Sequence, residues 1–218
     1  MALPDFWRQL DMVTPEQLSF PVTIVGAGGI GSPTALTLAK MGCPQITIYD
    51  PDTIEQHNLP NQLYRLADVG QPKVKALQAI IHEFTDCEVN PVAERLVEAD
   101  LSGVVISAVD SMAERQSIWQ GSIRYRIRVD LYVDARMGAE VSRVFSVRPT
   151  DPDDVRFYES TLYSDLEATE ENCTARAIIY NVLNVASLVA NIVKRHARGE
   201  EGHRELIFDF ATMSLLLD

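Results

Sequence analysis

A glycine-rich loop after a short apolar segment is the feature of this sequence that most directly suggests chemistry. The segment 22–25 (Val-Thr-Ile-Val) leads into a G-x-G-x-x-G pattern with Gly26, Gly28 and Gly31 at its three glycine positions and Gly29 between them. Positions without side chains let the backbone turn tightly and approach a phosphate group at the positive end of the following helix. The pattern therefore predicts a nucleotide-binding loop.

An acidic residue follows this loop at the spacing that nucleotide-binding domains use. Asp50 lies about 20 residues further on, at the end of the next predicted strand, where a carboxylate can accept hydrogen bonds from ribose hydroxyls. ATP and NAD both present phosphate and ribose groups, so the loop and Asp50 do not distinguish between them. The residues after Asp50 must decide which nucleotide is bound.

Those residues form a series of short motifs in a fixed order. The series is D-x-D at Asp50 and Asp52, N-L-x-x-Q at Asn58, Leu59 and Gln62, D-x-G-x-x-K at Asp68, Gly70 and Lys73, and D-x-x-x-x-R at Asp110 and Arg115. With the glycine loop, it resembles the signature of the ThiF/MoeB/ubiquitin-activating (E1-like) superfamily over residues 20–148, and more weakly in the helix after Cys173. The resemblance implies an α/β fold and ATP-dependent adenylation of a carboxylate.

Two of these residues carry the charges that adenylation needs. Attack of a carboxylate on the α-phosphorus of ATP concentrates negative charge on the phosphates and on the departing pyrophosphate, and Lys73 can offset this charge. Asp110 is suited to hold Mg²⁺, because hard cations prefer carboxylate oxygens. Taken singly, Lys73 would be an ordinary solvated charge and Asp110 an ordinary residue at a helix start. Their joint occurrence in the superfamily order favours the functional interpretation.

The remaining motif residues would surround the nucleotide. Asn58 can contact a phosphate or a metal-bound water, and Gln62 can hydrogen-bond beside it. By the resemblance, Asp50 holds the ribose and Asp52 lies near the phosphates. Arg115 is either functional or paired with a neighbouring carboxylate.

Cys173 is a candidate nucleophile for a second step. It lies in Asn172-Cys-Thr-Ala-Arg176 at the predicted start of the last long helix, where the helix dipole and Arg176 both favour a thiolate. In ubiquitin-activating enzymes of this superfamily, a cysteine that precedes a threonine takes the activated carboxylate as a thioester. The alternative is a small residue that packs in the helix. Cys43 and Cys87 are predicted to be core or strand-edge residues.

Two features depart from the superfamily pattern. Asn61 occupies the position of an arginine that reaches the ATP phosphates, and asparagine supplies neither the charge nor the bidentate geometry of a guanidinium. Arg65 and Arg8 are the candidates to replace that arginine. The paired CxxC motifs of many members are also missing, so no zinc is expected and the predicted cofactors are ATP and Mg²⁺.

Length and composition restrict the class of protein. The chain has 218 residues, 46% hydrophobic and 23% charged, which fits a single adenylation domain over residues 1–218. The net charge of −12 argues against nucleic-acid binding, which needs clustered lysine and arginine, and suits a basic protein partner. No run of about 18 apolar residues is present, and the N-terminal segment lacks the apolar core of a secretory signal. We therefore expect a cytoplasmic protein without a membrane span.

Apolar periodicity distributes these motifs over alternating strands and helices. Strands are predicted at 21–25, 45–49, 104–109, 127–133, 141–147 and 206–210, and helices at 32–41, 72–84, 111–120 and 173–196. A helical lead-in is predicted for residues 1–20 and an acidic crossover loop for residues 150–172. The alternation predicts a Rossmann-like, doubly wound, mostly parallel sheet with helices on both faces.

These observations predict adenylation of a carboxylate with release of pyrophosphate. The resemblance implies that a homodimer activates the C-terminal glycine of a ubiquitin-like or sulfur-carrier protein, and a glycine tail without side chains can pass through a narrow channel. Two alternatives stay open. Asn61 is compatible with a nucleotide-binding scaffold subunit that does not turn over. The glycine loop alone is compatible with an NAD-dependent oxidoreductase, which would leave Asn58, Gln62 and Lys73 unexplained.

Overall fold

The computed structural model describes residues 5–163 and 178–218. Within these residues, eight strands form one sheet: β1 Val22–Val25, β2 Gln45–Tyr49, β3 Glu88–Val92, β4 Gly103–Ser107, β5 Val129–Gly138, β6 Val141–Val147, β7 Glu205–Asp209 and β8 Ser214–Leu217. The α-helices in the same ranges are α1 Gly31–Met41, α2 Lys73–Phe84, α3 Met112–Ile118, α4 Pro152–Glu159 and α5 Ile179–Ala197. Short 3₁₀ helices lie at Pro15–Leu18, Gln56–Asn58 and Leu66–Asp68, and a π-helical turn lies at Trp119–Ile123.

The sheet has a parallel half and an antiparallel half. Its strand order is β3-β2-β1-β4-β5-β6-β7-β8, with parallel pairing from β3 to β5 and antiparallel pairing from β5 to β8. The parallel half confirms the predicted doubly wound arrangement, because the chain leaves β1 for β2 on one side and returns to β4 on the other. Ligands bind to such sheets beyond the carboxyl ends of the strands at this reversal. The glycine loop follows β1 at that edge.

Helices cover both faces of the sheet, as predicted. One core contains apolar side chains of α1, α2 and α5 packed against the sheet, including Ile24 and Val133. The second core lies on the other face and contains side chains of α4 and of the π-helical turn, including Trp119 and Tyr158. Successive strand side chains point to opposite faces, so neighbouring residues of one strand serve different cores.

The segment 150–172 differs from its prediction as an irregular acidic loop. It contains helix α4, while its later part lies outside the described residues. Asp151 caps α4 by accepting hydrogen bonds from two backbone N–H groups, and Pro152 occupies the first helical turn. Acidic residues in a first turn complement the positive end of a helix dipole. The local acidity was therefore a helix-start signal that the prediction interpreted as a loop.

The prediction also missed β3 and β8 and ended β5 too early. β3 is an edge strand that contains Asn90 and Pro91, which are unfavourable in central strands and tolerated at an edge. β8 has only 4 residues. β5 continues beyond its predicted end at Val133, because residues 134–138 pair with β6. This extension brings additional side chains to the carboxyl edge of β4.

Smaller differences concern the two ends of the chain. From residue 5 onward, the N-terminal lead-in consists of turns followed by the 3₁₀ helix at Pro15–Leu18, and not of an α-helix. The last long helix begins at Ile179 within the described residues. No helix in residues 5–163 or 178–218 is both long and apolar enough to span a membrane.

The turn between β5 and β6 contains a residue whose backbone predicts a stabilising substitution. Ala139 has a φ of +48°, in the left-handed region that favours glycine. Ala139→Gly should raise the free energy of unfolding by about 0.5–1 kcal/mol, because relief of the Cβ conflict exceeds the entropy cost of a glycine. Ala113→Gly, at an exposed position of α3, is the control and should lower it by about 0.5–1 kcal/mol. Thermal unfolding measures both, and a destabilised Ala139→Gly variant would show that the turn is not strained.

Candidate functional site

A cleft of about 740 Å³ lies at the carboxyl edge of the parallel strands. Its lining includes most of the predicted site residues, namely Gly26, Gly28, Gly29, Asp50, Asp52, Asn58, Gln62, Lys73 and Asp110. Asn61 and Arg115 line it as well. Pockets of this volume accommodate small-molecule and cofactor ligands. Motifs that are separated by up to 84 residues in the chain therefore meet in one cavity.

The glycine loop requires glycine at two positions for different reasons. Gly26 has a φ of +97°, and a Cβ there would lie 2.6 Å from the carbonyl oxygen of Ala108. A Cβ at Gly31 would lie 1.8 Å from the carbonyl oxygen of Gly26, so α1 can begin directly against the loop only with glycine at this position. Gly31 thus shapes the loop and is not part of the cleft lining, whereas Gly28 and Gly29 form the wall of the cleft.

Two hydroxyl groups that the sequence analysis did not select hold this loop. The hydroxyl of Tyr64 donates a hydrogen bond to the carbonyl oxygen of Ala27 at 2.6 Å. The hydroxyl of Ser32 donates to the carbonyl oxygen of Gly28 at 2.7 Å and accepts from the backbone N–H of Leu63 at 3.2 Å. Two of these three hydrogen bonds join residues more than 30 positions apart, and the third spans one helical turn, so no sequence pattern signals them.

Lys73 is buried at the start of α2 and is not a solvated charge. Its Nζ atom lies 2.8 Å from Oδ2 of Asp52 and 4.0 Å from Oδ2 of Asp50. The backbone N–H of Lys73 also donates to the carbonyl oxygen of Asp52 at 2.9 Å, which fixes the start of α2 beside the end of β2. The carboxylate of Asp52 is 61% exposed, so its side of the ion pair is open to solvent.

Asp50 holds the glycine loop in place. Its carboxylate accepts hydrogen bonds from the backbone N–H groups of Ala27 at 2.7 Å and Asp52 at 2.8 Å. Burial raises the pKa of Asp50, and the two N–H donors and Lys73 oppose this rise. The residue that the resemblance assigns to a ribose therefore also supports the glycine loop.

Three amide side chains line the cleft next to the loop. Oδ1 of Asn58 accepts a hydrogen bond from the backbone N–H of Glu55 at 2.8 Å and caps the adjoining 3₁₀ helix. Among the described residues, the buried oxygens Asn61 Oδ1 and Gln62 Oε1 have no hydrogen-bond partner. A buried acceptor without a donor is costly. These two oxygens mark a position at which a ligand or a water molecule can donate.

Asp110 and Arg115 have different roles in the structure. Asp110 is exposed at the cleft, and it does not cap α3, because Ser111 accepts the capping hydrogen bond from the backbone N–H of Glu114 at 3.2 Å. Arg115 is buried, and its Nε donates to Oδ1 of Asp134 at 2.9 Å. The predicted alternative for Arg115, pairing with a nearby carboxylate, is the one observed.

Neither candidate for the missing arginine reaches the cleft. The guanidinium of Arg65 is paired with Asp68, with Nε 3.0 Å from Oδ2, and with Glu83 on α2. Arg8 is exposed and lies over the ring of Trp7. Neither side chain lines the cleft of its own chain, and the replacement of the missing arginine by Arg65 or Arg8 stays a prediction.

A buried carboxylate that the sequence analysis did not select links the cleft to the second core. Asp134 on β5 is 0% exposed and accepts hydrogen bonds from Arg115 at 2.9 Å, Arg136 at 2.7 Å and the Tyr158 hydroxyl at 3.0 Å. Burial alone would raise the pKa of Asp134, but the two guanidinium groups hold it below its ordinary value. Arg136 lines the cleft. Asp134 and Arg136 both lie in the part of β5 that was not predicted to be a strand.

Glu114 is a cleft carboxylate with a predicted dependence of stability on pH. Burial raises the pKa of Glu114, Arg95 opposes this rise, and Asp110, Asp50 and Asp52 add to it. The folded protein therefore binds a proton at Glu114 more readily than the unfolded chain does. Ionisation of Glu114 at high pH destabilises the fold, and lowering the pH removes this destabilisation.

Glu114→Gln should consequently raise Tm by about 1–3 °C at pH 8, and this gain should vanish as the pH falls toward 4.5, the ordinary carboxyl pKa. Differential scanning calorimetry across this pH range measures the change. Glu88→Gln, at an exposed position of β3, is the control and should show no pH-dependent gain. An equal effect of Glu114→Gln at every pH would contradict the electrostatic origin.

The cysteines divide between the core and the part of the chain that is not described. Cys43 and Cys87 are buried, which confirms their predicted place in the core, and burial raises the pKa of both thiols to about 12. Cys173 and its neighbour Arg176 lie outside the described residues. The nucleophile hypothesis for Cys173 stays a prediction.

Comparison with known proteins finds relatives that are similar in sequence. The chain is 34% identical over 118 residues to the SAMP-activating enzyme E1 of Haloferax volcanii. The aligned region covers 49% of this chain and 44% of that protein. It is 26% identical over 176 residues to the sulfur carrier protein ThiS adenylyltransferase of Escherichia coli, covering 77% of this chain and 68% of that protein. The chain thus spans less than half the length of the Haloferax relative.

A solved structure and a family match agree with these relatives. The crystal structure of Escherichia coli MccB with ATP superposes with a TM-score of 0.68 at 16% identity, covering 94% of this chain and 65% of that one, and this likeness concerns the fold. The sequence model of the ThiF family matches residues 15–213. That match includes the glycine loop, the other motifs that line the cleft, and the strands that carry these motifs. The chain therefore belongs to the ThiF family.

Proposed function

We propose that this chain is an ATP- and Mg²⁺-dependent adenylyltransferase that activates the C-terminal carboxylate of a ubiquitin-like or sulfur-carrier protein. The observation that carries the proposal is the ion pair between the buried Lys73 and the exposed Asp52 beside the glycine loop. Asp52 is 61% exposed and can return to water when phosphate oxygens take over the ammonium group. A cation held in this way is available for a ligand that brings more negative charge.

The cleft fits the triphosphate and ribose of ATP. Gly28 and Gly29 leave the backbone open at the N-terminus of α1, where N–H groups and the helix dipole favour phosphate. The buried oxygens of Asn61 and Gln62 have no donor within the described residues and can accept hydrogen bonds from ligand hydroxyls or water. These properties support a nucleotide whose phosphates approach Lys73 and α1.

The charges of the cleft support a divalent cation as a cofactor. Among the described lining residues, the carboxylates of Asp50, Asp52, Glu94, Asp110 and Glu114 outnumber the cationic groups of Lys73, Arg95, Arg115 and Arg136. No cluster of three His, Cys, Asp or Glu side chains within residues 5–163 and 178–218 is arranged to hold a metal by itself. Mg²⁺ commonly binds through one or two carboxylates together with substrate phosphates. Asp110, exposed and free of a capping role, is the residue that would hold it, and bound Mg²⁺ would neutralise charge on the phosphates.

The proposed step is an in-line displacement on ATP. An oxygen of the substrate carboxylate attacks the α-phosphorus, the bond between this phosphorus and the bridging oxygen of the β-phosphate breaks, and pyrophosphate leaves with the electron pair. Lys73 stabilises the negative charge that develops on the leaving group. Asp50 keeps the loop in position through its bonds to Ala27 and Asp52. No proton transfer is required, because the attacking carboxylate is already ionised.

The partner is proposed from the names of relatives. The Escherichia coli relative is named for the sulfur carrier protein ThiS, and the Haloferax relative as a SAMP-activating enzyme. We propose that this chain likewise activates a small carrier protein that ends in glycine, that it acts as a homodimer, and that Cys173 receives the acyl group as a thioester. Exposed apolar side chains on α5 and β8, among them Leu183 and Leu216, support an interface.

ATP–pyrophosphate exchange tests this function. The protein is incubated with Mg-ATP, labelled pyrophosphate and a purified sulfur-carrier protein that ends in Gly-Gly, and the same carrier without its terminal glycine is the control. We expect exchange only with the intact carrier. The thioester step is tested with the intact carrier on the wild type and on Cys173→Ser. A thiol-sensitive adduct on the wild type but not on Cys173→Ser, with exchange retained, would support it.

Two other results would contradict the proposal. Tight binding of Mg-AMPCPP, a nonhydrolysable ATP analogue, without exchange for any glycine-terminated carrier would indicate a scaffold subunit. Binding of NADH without binding of Mg-AMPCPP would indicate an oxidoreductase. Calorimetric titrations with both nucleotides distinguish these cases.

A further inference from the structure

Arg136 is a largely buried cleft residue that shares its carboxylate partner with a second arginine. Its Nε donates to Asp134 at 2.7 Å, and Asp134 is shared with Arg115, whose Nε lies 2.9 Å from the other carboxylate oxygen. Within the described residues, Arg115 and Arg136 have no ion pair with any other carboxylate. Two guanidinium groups around one carboxylate leave an excess of one positive charge. An excess charge in a buried setting is costly unless an anion compensates it.

The guanidinium of Arg136 is held rigidly at the cleft. One terminal nitrogen donates to the carbonyl oxygen of Thr161 at 3.0 Å, and the other donates to the Thr161 hydroxyl at 3.2 Å. The group also lies 4.4 Å from the centre of the Phe145 ring. The Arg136 side chain is only 12% exposed and yet lines the cleft. A guanidinium has five N–H donors, so it retains donor capacity for a ligand after these contacts.

The strand register explains why Arg136 reaches the cleft. β4 ends at Ser107, which pairs with Asp134 on β5. Arg136 therefore lies beyond the carboxyl end of β4, at the same edge as the glycine loop, and its strand continues only because it pairs with β6. A side chain at this position faces the region where ligands bind in doubly wound sheets.

We propose that Arg136 binds an oxyanion of the reactants, either the polyphosphate of ATP or the acyl carboxylate, and supplies the charge that Asn61 lacks. This inference rests on the proposed function, because it needs an anionic nucleotide in the cleft. Arg65 and Arg8 do not line the cleft. Arg115 does, but its side chain is the more deeply buried of the pair, at 7% exposed, and one of its terminal nitrogens donates to the carbonyl oxygens of Val109 and Ala135. Arg136 combines rigid placement, access to the cleft and excess charge.

Calorimetric binding without turnover tests this assignment. The probes are Mg-AMPCPP, AMP and 5′-O-(N-glycylsulfamoyl)adenosine, a stable mimic of a glycyl adenylate. The variants are Arg136→Gln and Arg136→Lys, and the control is Arg143→Gln. Arg143 is the cross-strand neighbour of Arg136 and lies over the same Phe145 ring, but it pairs with Glu205 and does not line the cleft.

We expect Arg136→Gln to weaken binding of one anionic probe by about 10- to 100-fold, as for loss of a hydrogen bond to a charged group. A loss confined to Mg-AMPCPP assigns Arg136 to the polyphosphate, and a loss confined to the sulfamate assigns it to the acyl end. Arg136→Lys keeps the charge beside Asp134, should remain folded and should lose less affinity. Arg143→Gln should bind all three probes as the wild type does.

Two outcomes overturn the assignment and differ from each other. If the wild type binds the probes and Arg136→Gln binds all of them equally well, Arg136 has only a structural role and the proposed function stands. If the wild type binds no nucleotide probe, the proposed function fails, and the assignment of Arg136 fails with it.

Discussion

Replacing Lys73 with alanine should lower carrier-dependent ATP–pyrophosphate exchange by about 100- to 1,000-fold, as for removal of one preorganised group that stabilises transition-state charge. Lys73 is a buried cation next to the glycine loop, and its ammonium lies 2.8 Å from Asp52. The folded state should lose little stability, because Asp52 is exposed and Asp50 keeps two backbone donors. The initial rate of exchange measures the first effect, and circular dichroism measures the second.

Lys75→Ala is the matched control for this prediction. Lys75 lies on the same helix, two residues further on, and its side chain is exposed. Its removal changes the net charge equally and should leave exchange within about twofold of the wild type, since exposed charges interact weakly through water. If Lys73→Ala retained exchange, or if Lys73→Ala and Lys75→Ala lost it equally, the exchange activity would not depend on the buried ammonium group of Lys73.

Asp134→Asn should lower the free energy of unfolding by about 3–5 kcal/mol, the cost of breaking a buried ion pair. The substitution keeps the shape of the side chain but leaves the buried Arg115 and the largely buried Arg136 without a carboxylate. The corresponding fall in Tm is about 6–20 °C for a domain of this size. Because the pKa of Asp134 is held below its ordinary value, this stabilisation is present above the unfolded pKa of 3.8 and is lost as the pH falls through the folded pKa.

Asp130→Asn provides the comparison on the same strand. Asp130 is exposed on β5, so the same chemical change should alter the free energy of unfolding by less than about 0.5 kcal/mol. Urea unfolding at pH 7 measures both variants. Equal stabilities of Asp134→Asn and Asp130→Asn would mean that the two arginines do not depend on Asp134.

The sequence was sufficient to predict the parallel half of the sheet and the residues that meet at its edge. The glycine loop, Asp50 and Asp110 each follow a predicted strand, and the carboxyl ends of parallel strands meet at one edge. Lys73 could be included only through the order of the motifs, because an isolated lysine at a helix start has no pattern that distinguishes it from a solvated charge. The ion-pair partner of the buried Lys73 is Asp52, which is 21 residues away in the chain.

The part of the site around Arg136 could not be predicted in this way. The apolar pattern of β5 fades after Val133, because Asp134 and Arg136 are charged residues in the continuing strand. Their pairing with Arg115, Tyr158 and Thr161 depends on the positions of α3 and α4, which no local periodicity encodes. A charged pair inside a strand is a local conflict with β-propensity, and such conflicts tend to occur at functional sites.

Isotope transfer from the carrier to AMP tests the central claim most directly. A carrier protein whose C-terminal carboxylate contains ¹⁸O is incubated with Mg-ATP and this protein, the acyl group is then released by a thiol, and the nucleotide products are weighed by mass spectrometry. Adenylation predicts AMP that is heavier by one ¹⁸O atom, because the carboxylate oxygen that attacks the α-phosphorus stays on it. Formation of ADP, or of AMP without the label, would contradict attack at the α-phosphorus and with it the proposed adenylyltransferase.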